Sequence, residues 1–142
     1  KYQMSCDLAN TLKRKDRWCY NCAMCAKAFL FFKANNIDPA LVGFRGDLFK
    51  AEFEKFYPLF SFPVRVYEKP KAVRDEQLFA FYLAYKNKCK GWLVDSFKER
   101  CLDEAKERED ELYNKFFKVY DASSLGNKIK GEVNSIYKEE LR

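Results

Sequence analysis

The chain has no histidine. That removes the Ser-His-Asp and Cys-His nucleophile pairs, in which an imidazole takes the proton, and every mixed Cys/His metal site. Glycine is scarce, five in 142 residues, and the sequence holds no glycine-rich phosphate loop; Gly43-Phe44-Arg45-Gly46 reads as a turn. Long apolar runs are missing as well. Residues 29–32 (FLFF) are cut off by Lys33, far short of the roughly 18–20 residues that a membrane span needs. The opening Lys1-Tyr2-Gln3-Met4-Ser5 has neither the apolar stretch nor the small-residue cleavage pattern of a secretion signal. The expectation is therefore a soluble, cytoplasmic protein without a membrane partner. No initiator Met stands before Lys1, which points to the C-terminal part of a longer protein. Internal repeats and low-complexity tracts are absent.

What the chain has in quantity is aromatic side chains, 18% of residues, within a hydrophobic fraction of 48%. Each ring can bury on the order of 150–250 Å², so one domain over residues 1–142 has ample core material, and a metal would serve a local purpose. The expected fold class is mostly α: a small helical domain with a four-cysteine metal-binding loop and at most one or two short strands. Residues 1–36 would form the metal-binding loop and first helix. Residues 37–90 would be helices with one short strand, and 91–142 the C-terminal helices. The formal charge is +6, and it is unevenly spread: basic residues dominate beside the cysteines, acidic ones dominate residues 103–111.

Four of the six cysteines are crowded into C-x12-C-x2-C-x2-C, formed by Cys6, Cys19, Cys22 and Cys25. Disulfide frameworks tie distant segments of small secreted folds, whereas two-residue gaps let the backbone fold round one ion, with thiolates at about 2.3 Å from it. With zinc the site would be closed and structural, having no open position for a substrate water. A [4Fe–4S] cluster is the alternative, because C-x2-C-x2-C also occurs in cluster proteins with a remote fourth cysteine. Cys89 and Cys101 stand apart and read as small buried residues.

From Asn21 the pattern is helical, with Met24, Ala28, Phe31 and Phe32 spaced for one buried face and Cys22 and Cys25 in the first turn. A helix N-terminus favours thiolates there. The helix should stop near Asn35-Asn36. Asp38-Pro39 then caps a short helix ending at Gly43, and another helix starts at Asp47 and carries Leu48, Phe49, Phe53, Phe56 and Tyr57 to Pro58. Residues 62–67 (FPVRVY) alternate like a short strand. Residues 73–86 predict a central apolar helix, residues 93–120 one long helix whose polar middle is a solvated face, and Ile129, Val133, Ile136, Tyr137 and Leu141 an amphipathic last helix.

Lys13, Arg14, Arg17, Trp18 and Lys27 are the candidate contacts for a phosphate-bearing partner, cations on phosphate and a ring on a base. The plainer reading has Trp18 packed over the metal loop and the lysines solvated. No catalytic machinery is visible in this chain alone.

Trp18-Cys19-Tyr20-Asn21-Cys22-Ala23-Met24-Cys25-Ala26-Lys27-Ala28-Phe29 resembles the C-terminal cysteine segment of the PP-loop ATP-pyrophosphatase superfamily. Two branches are similar: the 7-cyano-7-deazaguanine synthases and, more closely, proteins like the UDP-N-acetylmuramoyl-L-alanyl-L-glutamate epimerases. The second likeness continues through residues 62–67 and the following helix. The resemblance implies that Cys6, Cys19, Cys22 and Cys25 are the metal ligands. It also implies that ATP is bound only in the parent protein, by an N-terminal nucleotide-binding domain carrying an S-G-G-x-D-S loop, which this chain lacks. Nucleotide or nucleotide-linked substrates are then the expected partners. A stand-alone four-cysteine zinc module binding nucleic acid through the basic N-terminal third is the alternative function, and a [4Fe–4S] protein a third.

Overall fold

A computed structural model of the chain describes residues 6, 17–60, 70–117 and 125–140. They divide into two compact units, residues 1–108 and 109–142. Among the described residues every regular element is helical and none is a strand, in keeping with the mostly α class expected. The predicted strand at 62–67 lies outside the described residues.

Among the described residues the first helix, α1 (Ala23–Ala34), takes Cys22 as its N-cap, and the Cys22 sulfur accepts from the Cys25 N–H. It stops where the sequence predicts. Asn36 adopts φ +56°, and the Asn36 and Ile37 N–H groups donate to Lys33 O and Phe32 O, a Schellman closure with asparagine in the left-handed position. The buried face differs from expectation. Cys25, Ala26, Phe29, Leu30 and Ala34 face inward, while Met24 is 57% exposed and Phe31 and Phe32 are half-buried.

Asp38 accepts from the Ala40 N–H and caps the 3-10 turn Pro39–Val42, which Gly43 ends at φ +90°. This is the predicted short helix, in the tighter 3-10 form. The helix expected from Asp47 starts later and is also 3-10, at Ala51–Phe56. Asp47 Oδ1 is engaged in a local turn, accepting from the Phe49 N–H at 2.8 Å, so it does not cap a helix. Leu48, Phe49 and Tyr57 are nonetheless buried as the spacing requires.

The central helix, α2 (Pro70–Lys86), buries Leu78, Phe79, Phe81, Tyr82 and Ala84. It runs beside α1 in the same direction: Lys27 pairs with Glu76 at 2.7 Å near the start, and Asn87 Nδ2 donates to Ala34 O at 2.8 Å at the far end. Phe81 is the hub of the core, with ring centroids of Phe49, Tyr57, Phe60 and Phe97 at 5.6, 5.2, 5.1 and 5.8 Å.

Over the described residues, the single long helix expected at 93–120 is instead three: α3 (Trp92–Arg100), α4 (Leu102–Glu107) and α5 (Glu109–Phe116). Cys101 at φ −135°, ψ −9° and Arg108 at φ −105°, ψ 12° interrupt it. The second interruption carries a side chain that reaches α2, Arg108 to Asp75 at 2.9 Å. Nor is the charged middle wholly solvated. Arg74 grips Glu104 with two bonds of 2.6 Å.

Gly91 precedes α3 at φ +143°, and a Cβ there would stand 2.7 Å from Phe49 Cβ. The approach is fixed by the Leu93 N–H donating to Phe49 O at 2.8 Å. Gly91→Ala should therefore destabilise the chain by about 2–3 kcal/mol, combining backbone strain with overpacking. Chemical denaturation measures it, and an unchanged midpoint would contradict the close approach.

In the second unit, Glu109, Asp110 and Glu111 complement the N-terminal end of α5, and Tyr113 stacks on Phe117 at 5.3 Å. The predicted last helix is α6 (Asn127–Glu140), with Ile129, Ile136 and Tyr137 exposed.

Candidate metal centre

The sulfurs of Cys6, Cys19, Cys22 and Cys25 all lie within 4.8 Å of one another. Cys6 Sγ is 3.7 Å from Cys22 Sγ, and Cys19 Sγ is 3.6 Å from Cys25 Sγ. These are not bonded pairs, since a disulfide holds its sulfurs at about 2.05 Å, and all six cysteines are free. Four sulfurs placed tetrahedrally at about 2.3 Å from one ion stand about 3.8 Å apart. The donor set therefore fits a single tetrahedral metal ion.

Two short stretches of backbone build this arrangement. In the Cys19–Cys22 turn the Asn21 N–H donates to Cys19 Sγ at 3.3 Å. At the start of α1 the Cys25 N–H donates to Cys22 Sγ at 3.4 Å. Each sulfur so contacted would carry negative charge when bound to metal, and both bonds favour that state. Tyr20, between the two ligands, adopts φ +56°, a conformation that a bulky residue takes only when its surroundings impose it.

Cys6, Cys19 and Cys25 are buried. Burial pushes the Cys25 thiol far above its ordinary value and raises that of Cys19. An ion must accordingly displace protons on binding, and affinity should climb with pH. Displacement of several protons per ion implies a rise of about a hundredfold or more per pH unit below neutrality. Competition against a chromophoric chelator across that range checks it; a pH-independent affinity would contradict thiolate ligation.

The surroundings tie the centre to the core. Trp18 stacks on Phe44 with centroids 4.2 Å apart, and its Nε1–H donates to Val42 O at 2.8 Å. Phe44 meets Phe29 at 5.5 Å and Phe29 meets Phe49 at 5.1 Å. Through Phe81 these rings lead from the metal loop to α3. The Tyr20 hydroxyl accepts from the Arg45 N–H at 2.5 Å and donates to Gly43 O at 3.4 Å, latching residues 43–45 to the loop. No spacing rule marks this latch in the sequence, because its partners lie more than twenty residues away.

Of the candidate phosphate contacts, Arg17 lies over the Trp18 ring at 5.5 Å. Trp18 is 4% exposed. Lys27 is held by Glu76 and lies 5.2 Å from the Phe31 ring. Lys13 and Arg14 lie outside the described residues. Cys89 and Cys101 stay apart from the cluster; Cys101 is buried and Cys89 half-buried, and desolvation raises both thiols. Among the described residues no helix is long and apolar enough to cross a membrane.

No family model matches the chain, and neither a curated protein nor a solved structure matches it.

Proposed function

We propose that the chain is a zinc-stapled helical module whose ion is structural, fixing the loop before α1 against residues 39–46 so that this end of the domain presents a defined binding surface. The carrying observation is the contact between sulfurs at 3.6–3.7 Å. A [4Fe–4S] cubane places iron and sulfide atoms between its thiolates and drives them well apart, whereas touching sulfurs suit one ion. Four thiolates complete the tetrahedron, which leaves no position for a substrate water.

Cobalt substitution tests this reading. A tetrahedral Co(II)-thiolate spectrum, intense and displaced by zinc, is expected; a weak octahedral spectrum, or brown iron–sulfur colour in anaerobically purified protein, would overturn it. The likeness at residues 18–29 supports a wider role as the metal-binding part of an ATP-using PP-loop enzyme. On that reading the reading frame upstream of Lys1 encodes an S-G-G-x-D-S loop, and its absence there would remove the wider role while leaving the zinc module untouched.

A further inference from the structure

The geometry points to a nucleoside monophosphate site in the groove between Tyr20, which belongs to the metal loop, and residues 45–53. The groove has a volume of about 270 Å³. Ligand pockets commonly span about 300–1,000 Å³, so this one lies just below that range and limits a ligand to about the size of one nucleotide.

Its walls supply the two kinds of contact that such a ligand needs. Tyr20 and Phe53, both half-buried, are the aromatic part of the lining, with buried Leu48 beneath them. Every nucleobase has a π-face that stacks on such rings. Tyr20 is unable to swing away, because its hydroxyl is bonded to both Arg45 N–H and Gly43 O and its ring packs edge-on against Phe44 at 5.9 Å. A held ring loses little entropy on stacking. Exposed Arg45 and Lys50 also line the groove and place positive charge where a phosphate projecting from the stacked base would lie.

One negative group stands on the same lip. Asp47 has one carboxylate oxygen tied to the Phe49 N–H, yet its charge opposes an anionic ligand. Asp47→Asn keeps an oxygen acceptor for that N–H and removes the charge. Gly46 offers a way to block the groove: a Cβ there meets only the Tyr20 ring, at 3.7 Å, which is ordinary contact, so a larger side chain fills space without straining the backbone.

The test is titration of the metal-loaded full chain with adenosine 5′-monophosphate, followed by NMR shifts at Tyr20, Leu48 and Phe53. Adenosine and inorganic phosphate are titrated in parallel, and each should bind at least about tenfold more weakly than the nucleotide. Lys50→Glu and Gly46→Leu should each weaken binding about tenfold or more, and Asp47→Asn should tighten it about threefold. A short oligoadenylate distinguishes the two sources of the ligand. Affinity per site equal to that of the monomer identifies a free nucleotide, and tighter, strongly salt-dependent binding identifies a single-stranded nucleic acid; both support the site. Metal content is measured on every sample, so a lost ion is told apart from a lost ligand. No shift at the three residues, or an affinity indifferent to both Lys50→Glu and Gly46→Leu while the ion is retained, would overturn the proposal.

Discussion

Cys25→Ser should abolish tight metal binding and lower the stability of the first unit by about 4 kcal/mol or more, the linkage expected when an ion present at a thousand times its dissociation constant no longer binds. Cys25 is wholly buried and supplies one sulfur of the cluster; its backbone N–H, which serine keeps, donates to Cys22 Sγ. The serine oxygen is too short and too weakly acidic to replace it. Isolated zinc fingers unfold without metal, but here Phe81 and its ring neighbours lie in α2, α3 and the 49–60 segment, none of which carries a cysteine of the cluster. Helical circular dichroism should therefore persist largely intact. Loss of amide protection should concentrate in residues 17–30 and 39–46, which the loop, Trp18 and Tyr20 hold together. A chelator should reproduce this state in the unaltered chain and add nothing in the variant; equal chelator effects on both would show that the ion acts elsewhere.

Arg108→Met is expected to cost about 3 kcal/mol, the low end for breaking a buried ion pair. Asp75 is 1% exposed, with Arg108 Nη2 at 2.9 Å from its Oδ1, and the same guanidinium reaches Glu104 at 3.0 Å. Methionine fills the volume but supplies no charge, so the carboxylate loses its cation in a medium that penalises it. Adding Asp75→Asn to Arg108→Met should recover a large part of the loss, giving a coupling energy well above that of exposed pairs. Glu104 gives the pH signature. The bond from Arg74 holds its carboxyl below the ordinary value of 4.5. The stability it contributes is fully present above that value and disappears as pH falls through the lowered one. Urea midpoints should accordingly drop on acidification, and the drop should shrink in Arg74→Met. Additive single and double variants, or an unchanged acid limb, would contradict the network.

The cysteine cluster was legible because its information is local: two-residue gaps bring three sulfurs together by backbone geometry alone, and the Cys19–Cys22 turn and the first turn of α1 each supply an N–H donor. The helix stop at Asn36 and the Asp38–Gly43 turn were legible for the same reason, since each is a cap written in adjacent residues. The rotation of α1 was not. From Ala23 to Ala34 only Lys27 and Lys33 are charged, so the apolar pattern prefers no face. The ligand Cys25 decides, and it carries Phe29 on its own side and Ala26, Leu30 and Ala34 alongside. The interruptions at Cys101 and Arg108 were equally hidden. Neither glycine nor proline marks them, and Asp75, the buried partner of Arg108, lies more than thirty residues earlier. Gln77 belongs with them: within a helix that reads as core, its buried oxygen accepts from the Leu59 N–H at 3.0 Å, satisfying a turn that no helical period reveals. Lys88, in the left-handed position after α2 at φ +58°, likewise occupies a place where sequence rules look for glycine.

Native mass spectrometry of the intact chain tests the centre most directly. One zinc ion per chain is expected, with the mass lowered by the protons that Cys6, Cys19, Cys22 and Cys25 release, and alkylation under native conditions should spare all four until the ion is removed. A chain free of metal with these thiols open to alkylation, or lighter by the hydrogens of two disulfides, would contradict it.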